Sequence, residues 1–411
     1  MPGESHPRLM IVRARVVVTM DGPTIENGAV AISGGRITDV GAIGEIKARN
    51  SGAVVDLGER ALLPGLINAH CHLDYTGLRG KIPSSKSFTE WIRSINAEKE
   101  KHSEEDYRTA IEQGLAEARK FGTTAVVNFE AFPELISKIR QPMRVWWFAE
   151  LIDVRDPKRA SEMVNAAIAA LGNAEHRGLA PHALFTASAA MYRRCEEIGQ
   201  RDKIMLSTHL AESREEMLMF CEGRGALYEF LKSIGRDMSD CGGKTPLASF
   251  LGGARGYGGS PGWLVAHLNE LTAGDFALLE TSVHNFHVVH CPRSHKYFGH
   301  SPFQFQRLQS LGVNICLGTD SLASNEDLSL FGEMRAFQKA FPEVPSRDIL
   351  SMVTRNPALA LGKPDELGSI RPGSHADLIA LPVNGPTLYD EIISLEDAVS
   401  WSMVGGEAAE A

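Results

Sequence analysis

No two cysteines in this 411-residue chain stand in C-x-x-C spacing, and the six present (71, 195, 221, 241, 291 and 316) are scattered. That excludes a zinc ribbon or a thioredoxin-type redox motif and predicts a reduced, cytoplasmic setting. Positive charge is also short. The 42 Lys and Arg against 51 Asp and Glu leave a formal net charge of −9, with no basic cluster. A nucleic acid or an anionic membrane is therefore not an expected partner. The opening "MPGESHPRLMIVRARVVVTMDG" lacks the sustained apolar core of a signal peptide, and no segment reaches membrane-spanning length. No internal repeat or low-complexity stretch occurs. What is there, 43% apolar and 23% charged residues, is the composition of a globular protein. Its length suits one large domain and a smaller one.

Residues 9 to about 57 read as short strands broken by turn signals, among them "GAVAIS" and "GGRITDVG". The C-terminal "GSIRPGSHADLIALPV" has the same character. The two ends are expected to pair into a composite β-sandwich domain, residues 1–62 with 363–411, flanking a domain over 63–362. Between them, eight strand candidates alternate with helical segments: "LLPGLINAH", "TTAVVNF", "RVWWFAEL", "HALFTA", "KIMLSTHL", "GWLVAHL", "FHVVHC" and "VNICLGTD". Most are continuous apolar runs, as strands covered on both faces should be. Capping boxes open "SEEDYRTAIEQGLAEARKFG" (Ser103, Asp106) and "TAGDFALLE" (Thr272, Asp275), and Ser346 starts a less clean one. Eight strand–helix units predict an α/β fold, a (β/α)8 TIM barrel.

Within "INAHCHLDYTGLRG", His70 and His72 lie one residue apart, so a strand points both the same way and Cys71 the other. Such a pair is a metal ligand set or a chance pair where a strand emerges into solvent. The barrel decides between them, because polar residues recur at its predicted strand ends: His182 opening the fourth, His209 and Glu212 after the fifth, His267, His290, and Asp320 on the eighth. All would meet at one mouth. His70, His72, His209 and Asp320 supply three nitrogens and a carboxylate for one zinc, leaving a position for water. Glu212 is placed to accept that water's proton, and His267 to orient it. Among the other histidines, His6, His102 and His375 are expected at the surface. His284 and His287 flank the start of the seventh strand, at the end of the barrel away from the chemistry, and His290, at that strand's far end, is a candidate for the pocket.

"PGLINAHCHLD", "PHALFTAS", "THLAES" and "LGTDSLASNEDLSLFGEMR", in that order, resemble the amidohydrolase superfamily over nearly the whole chain. The closer resemblance is to its cytosine-deaminase-like branch of adenosylhomocysteine, methylthioadenosine, aminofutalosine and guanine deaminases and triazine hydrolases. It implies a mononuclear site of His70, His72, His209 and Asp320, with Glu212 as proton shuttle and His267 assisting. Zinc is the default ion, and iron or manganese would accept the same ligands. Binuclear relatives carry a fourth-strand lysine where this chain has "APHALFTAS", with His182 at a substrate-contacting position. The resemblance implies hydrolytic deamination of a heterocycle, a 6-aminopurine nucleoside foremost, with guanine, pterin or triazine rings as the alternative. Trp91 with Phe88, and Arg293 facing a carboxylate, are further candidate substrate contacts. A homo-oligomer is common for such barrels. Two departures stand out: a long stretch from Glu222 to Gly262, expected to form a lid or substrate loop, and His295 where many relatives have Asn.

Overall fold

The computed structural model describes residues 9–172, 174–252, 262–281 and 286–410. Its centre is a ring of parallel strands: β1 (Leu66–His72), β2 (Thr123–Glu130), β3 (Arg144–Leu151), β4 (His176–Pro181), β5 (Met205–Leu210), β6 (Trp263–His267), β7 (Phe286–His290) and β8. The last comes in two short runs, Ile315–Leu317 and Asp320–Ser321. The first run pairs with β7 and the second with β1, which closes the sheet into a barrel. At the break, the Gly318 amide donates to the His290 carbonyl and the Thr319 amide to the His70 carbonyl, both at 3.0 Å. A Cβ on Gly318 would stand 2.7 Å from the His70 carbonyl oxygen, so β8 lies this close to β1 only because residue 318 has no side chain.

The barrel is filled, not hollow. Ile67, Phe129, Phe148, Leu264 and Val289 belong to one buried cluster. Val126, Trp147, Leu206, Val265 and Val288 belong to another, shared with the surrounding helices. Neighbours in sequence thus fall in different clusters, the period-two alternation that a strand buried on both faces requires. The Phe129 ring lies 4.4 Å from the His70 ring, so the aromatic floor stops where the polar residues begin.

Two further sheets lie outside the barrel. Met10–Arg13, Gly28–Ser33, Arg36–Ala42 and Ala53–Asp56 form one. Val16–Val17, Ile25–Glu26, Arg60–Pro64, Leu378–Pro382, Trp401–Val404 and Glu407–Glu410 form the other, joining early and late parts of the chain. Val12, Val30 and Ile32 of the first pack with Val17, Leu62, Leu378 and Met403 of the second.

Several sequence expectations are corrected here. "LLPGLINAH" is two strands: Arg60–Pro64 pairs with Leu378–Pro382 outside the barrel, and β1 starts at Leu66. Gly65 makes the crossing, where a Cβ would stand 2.1 Å from Thr124 Oγ1 and 2.6 Å from Thr124 Cβ. Gly65→Ala is expected to cost about 1–3 kcal/mol, read as a lowered Tm; an unchanged Tm would mean that the crossing has room. "HALFTA" is not the fourth strand. β4 precedes it, and Leu184 and Phe185 are buried in the turn that follows. His182 therefore stands just past a strand's C-terminal end instead of at its start. The boxes at Ser103/Asp106 and Thr272/Asp275 form as expected. Ser346 instead lies inside its helix, Ser346–Ser351, and its hydroxyl bonds Asp390.

Candidate active site

The C-terminal mouth of the barrel gathers the predicted residues. His72 Nε2 and His209 Nε2 are 3.3 Å apart, and Asp320 Oδ1 lies 3.7 Å from His70 Nε2 and 3.9 Å from His72 Nε2. Glu212 Oε1 is 3.7 Å from His267 Nε2. Ligand atoms of His70, His72 and Asp320, of His70, His209 and His267, and of Glu212, His267 and Asp320 fall within 4.8 Å of one another in each set. All six residues are buried.

Local backbone aims these groups. β1 changes its register against β2 between Asn68 and Cys71, the kind of irregularity that re-aims side chains beside active sites. Asn68 fixes the segment, donating to Thr319 Oγ1 at 2.7 Å and accepting the Thr319 amide at 3.1 Å. Non-glycine residues take left-handed backbone at three of the strand ends: Ala211 (φ 50°), His267 (φ 75°) and Asp320 (φ 56°). Such conformations cost energy and persist where surroundings enforce them. At Ala211 the enforcer is Glu216, whose carboxylate accepts the Ala211 and Glu212 amides at 3.1 and 2.7 Å. Asp320 is held by the Ser321 amide on Oδ1 (2.7 Å) and the Ser294 hydroxyl on Oδ2 (2.6 Å), with Ser324 2.9 Å from Ser294.

Electrostatics follow from burial. Desolvation, then the His182 and His70 rings, push His209 down to about 3; desolvation, then Lys99 and His70, do the same to His182. These imidazoles are neutral, with a lone pair available. His209 Nδ1 donates to the His182 carbonyl at 2.9 Å, which leaves Nε2 as the free nitrogen facing the cluster. Burial, then the Asp320 and Glu216 charges, raise Glu212 well above an ordinary carboxyl. Burial would raise Asp320 too, but His70, His267 and His72 outweigh it and hold its carboxyl well below the usual range.

Above this base opens a cavity of about 270 Å³. His182, Trp91 and Phe88 line it, as do Tyr75, Ile92, Ile95 and Phe185. Leu227, Phe230, Leu231 and Ile234 complete the wall from the long Glu222–Gly262 stretch, through the helix Ala226–Ser233 and the residue after it. Of that stretch, residues 253–261 lie outside the described ones.

Arg293 is a correction. It does not line the cavity: its guanidinium pairs with Asp327 at 2.6 Å and Glu326 at 3.1 Å, with buried Glu333 4.0 Å away. It is a structural arginine with no charge to spare for substrate. His290 is also absent from the lining; it is buried and stacked on Phe303 at 4.0 Å. His295 donates to the Ser301 carbonyl at 2.8 Å and so shapes a neighbouring loop. His287 is half-buried, 3.0 Å from the Asn314 amide. His102 and His375 are part-buried and partnered, by Lys81 and Glu366 respectively. His6 and His284 lie outside the described residues. The site also holds groups that sequence reasoning missed. Glu150, the penultimate residue of β3, lies in the cavity wall, 3.8 Å from His72 Nδ1, and Lys99 lines the same wall. A lone acid inside the apolar run "WWFAEL", one residue before its end, was the available signal.

Fold and site together define a (β/α)8 enzyme with its chemistry at the carboxyl ends of the strands. The chain belongs to the amidohydrolase family, whose model matches residues 61–407. It is 29% identical over 404 residues to the 5-methylthioadenosine/S-adenosylhomocysteine deaminase of Nitratidesulfovibrio vulgaris, covering 92% of this chain and 84% of that relative. Helicobacter pylori aminofutalosine deaminase, solved with methylthio-coformycin, superposes with a TM-score of 0.85 at 21% identity, over 97% of this chain and 100% of that one. A zinc-bound adenosine deaminase from Xanthomonas campestris gives 0.77 at 23% identity, over 98% and 93%. No helix among the described residues is long and apolar enough to cross a membrane.

Proposed function

We propose that this protein is a mononuclear metal-dependent aminohydrolase that converts a 6-aminopurine nucleoside to its 6-oxo form and releases ammonia. The observation that carries the reading is the convergence of His70, His72, His209 and Asp320 beside the Glu212–His267 pair at the base of a largely apolar cavity. The donors fit a divalent cation: among the described residues, both ring nitrogens of His70 are buried without a hydrogen-bond partner, a costly arrangement that an ion bound to one of them would ease. Zinc suits three imidazoles and one carboxylate, and the zinc-bound relative supports that choice. When bound, the ion supplies a Lewis acid that lowers the pKa of water from about 15.7 towards 7.

The protein's own residues do the rest. Glu212 takes a proton from the attacking water and delivers it to the ring nitrogen beside the amino-bearing carbon. It then takes the second proton from the newly added hydroxyl and gives it to the departing amine, so the C–O bond forms first and the C–N bond then breaks to leave a carbonyl and ammonia. Its raised pKa suits both directions of transfer. His267, 3.7 Å from Glu212, orients the water. The apolar walls take the rest of the nucleoside and keep bulk water from the base, and His182 contacts the purine. Residues 1–62 with 363–411 are taken as one supporting unit, on the strength of the Arg60–Pro64 and Leu378–Pro382 pairing. The six free thiols support a reducing, cytoplasmic location.

A panel of 5′-methylthioadenosine, S-adenosylhomocysteine, adenosine, guanine, a pterin and a chlorotriazine, scored for ammonia and chloride, tests the reading. Ammonia from the adenine nucleosides is expected; release from guanine, the pterin or the triazine alone would replace it. Ser294→Ala should weaken metal retention about 10- to 100-fold, because Asp320 loses the bond that orients it. Unchanged competition against a chelator would mean that Ser321 and Ser324 suffice.

A further inference from the structure

Three residues after Glu212, on the first turn of the helix Arg214–Glu222, Glu215 reaches across to another element. Its Oε1 accepts the Phe88 amide at 3.0 Å, and its Oε2 accepts the Thr89 amide at 3.0 Å and the Thr89 hydroxyl. These are the first donors of the helix Phe88–Lys99, which the helix itself leaves unpaired. The Ser87 hydroxyl accepts the Glu90 amide, at 3.3 Å, and leaves these two donors to Glu215. A carboxylate here also meets the positive end of the helix dipole. The helix it holds presents Phe88, Trp91, Ile95 and Lys99 to the cavity. At 5.0 Å, Arg93 of the same helix covers the Phe230 ring of the opposite wall. One short segment thus carries a base ligand (His209), the shuttle (Glu212) and the clamp on the cavity wall (Glu215).

We propose that Glu215 is a positioning residue for substrate: it latches the helix Phe88–Lys99 to the β5 segment and thereby sets the affinity for the part of the substrate remote from the reacting carbon. This rests on the deaminase reading above. Binding energy from that remote part is shared by ground and transition states, so its loss raises KM and leaves kcat in place.

The test compares Glu215→Ala, Glu215→Gln and Thr89→Val in the full-length, metal-loaded protein. Amide hydrogen exchange at Phe88 and Thr89 is expected to accelerate at least about tenfold in Glu215→Ala, since charge-assisted bonds are lost. KM for 5′-methylthioadenosine should rise about tenfold, and less for adenosine, with kcat within about twofold. Glu215→Gln, which keeps one accepting oxygen, should fall between. Thr89→Val should shift KM in the same direction with the carboxylate intact, which settles the matter if Glu215→Ala folds poorly. Unchanged exchange, an unchanged KM, or a fall in kcat at constant KM would each overturn the proposal. If the unmodified protein releases no ammonia from any nucleoside, the deaminase reading falls, and exchange at Phe88 and Thr89 still decides whether the latch exists.

Discussion

In Glu212→Gln, ammonia release should drop by about 10²–10⁴-fold while the metal content stays stoichiometric. The substitution changes one oxygen for an amide and little else. The backbone at 212 is held from outside the side chain, by Glu216 on its amide at 2.7 Å and by Asn269 on its carbonyl at 3.1 Å, so the turn should survive. What disappears is a group able to hold a proton and give it back. Ammonia release and metal analysis on one preparation separate the two effects. Turnover near that of the unmodified protein would assign the proton transfer to another group, with His267 first in line.

Asp320→Asn is expected to act on the metal itself. Asparagine tolerates left-handed backbone, so the φ of 56° at this position can persist and the test is of charge, not of folding. Ser294 can still donate to the amide oxygen. Lost is the carboxylate that faces His70 and His72 at 3.7 and 3.9 Å. Metal retention against a chelator should fall at least about 100-fold, beyond what loss of an outer partner costs, and activity should fall with it. Full occupancy in this variant would remove Asp320 from the ligand set.

The barrel was legible because most of its strands, with β4 the plainest exception, carry an apolar run, and a buried parallel strand needs little more. The exception shows the limit. β4, "HRGLAP", is short and broken by a glycine, whereas the turn after it buries Leu184 and Phe185 and so looks more strand-like than the strand. Periodicity reports burial, and a buried turn satisfies it equally. The histidines and Asp320 could be picked out because a polar residue closing an apolar run is conspicuous. Ser294, Ser324 and Glu216 could not, since serine or glutamate after a strand is ordinary and their significance lies in bonds closed by the tertiary fold. Arg293 was misread for the same reason. Its partners Asp327, Glu326 and Glu333 come from a segment more than thirty residues on, and nothing local announces that the charge is already neutralised. The double strand in "LLPGLINAH" hid behind a single glycine.

That first half of "LLPGLINAH" has a consequence for how the protein is made. Arg60–Pro64 takes as its hydrogen-bonded neighbour Leu378–Pro382, a strand synthesised only after the barrel segments have been translated. Until then one side of Arg60–Pro64 is an unprotected template, open to pairing with another nascent chain. Slow ribosome transit through the middle of the message should therefore hurt yield more than slow transit near either end, and a chaperone that masks β-edges should restore it.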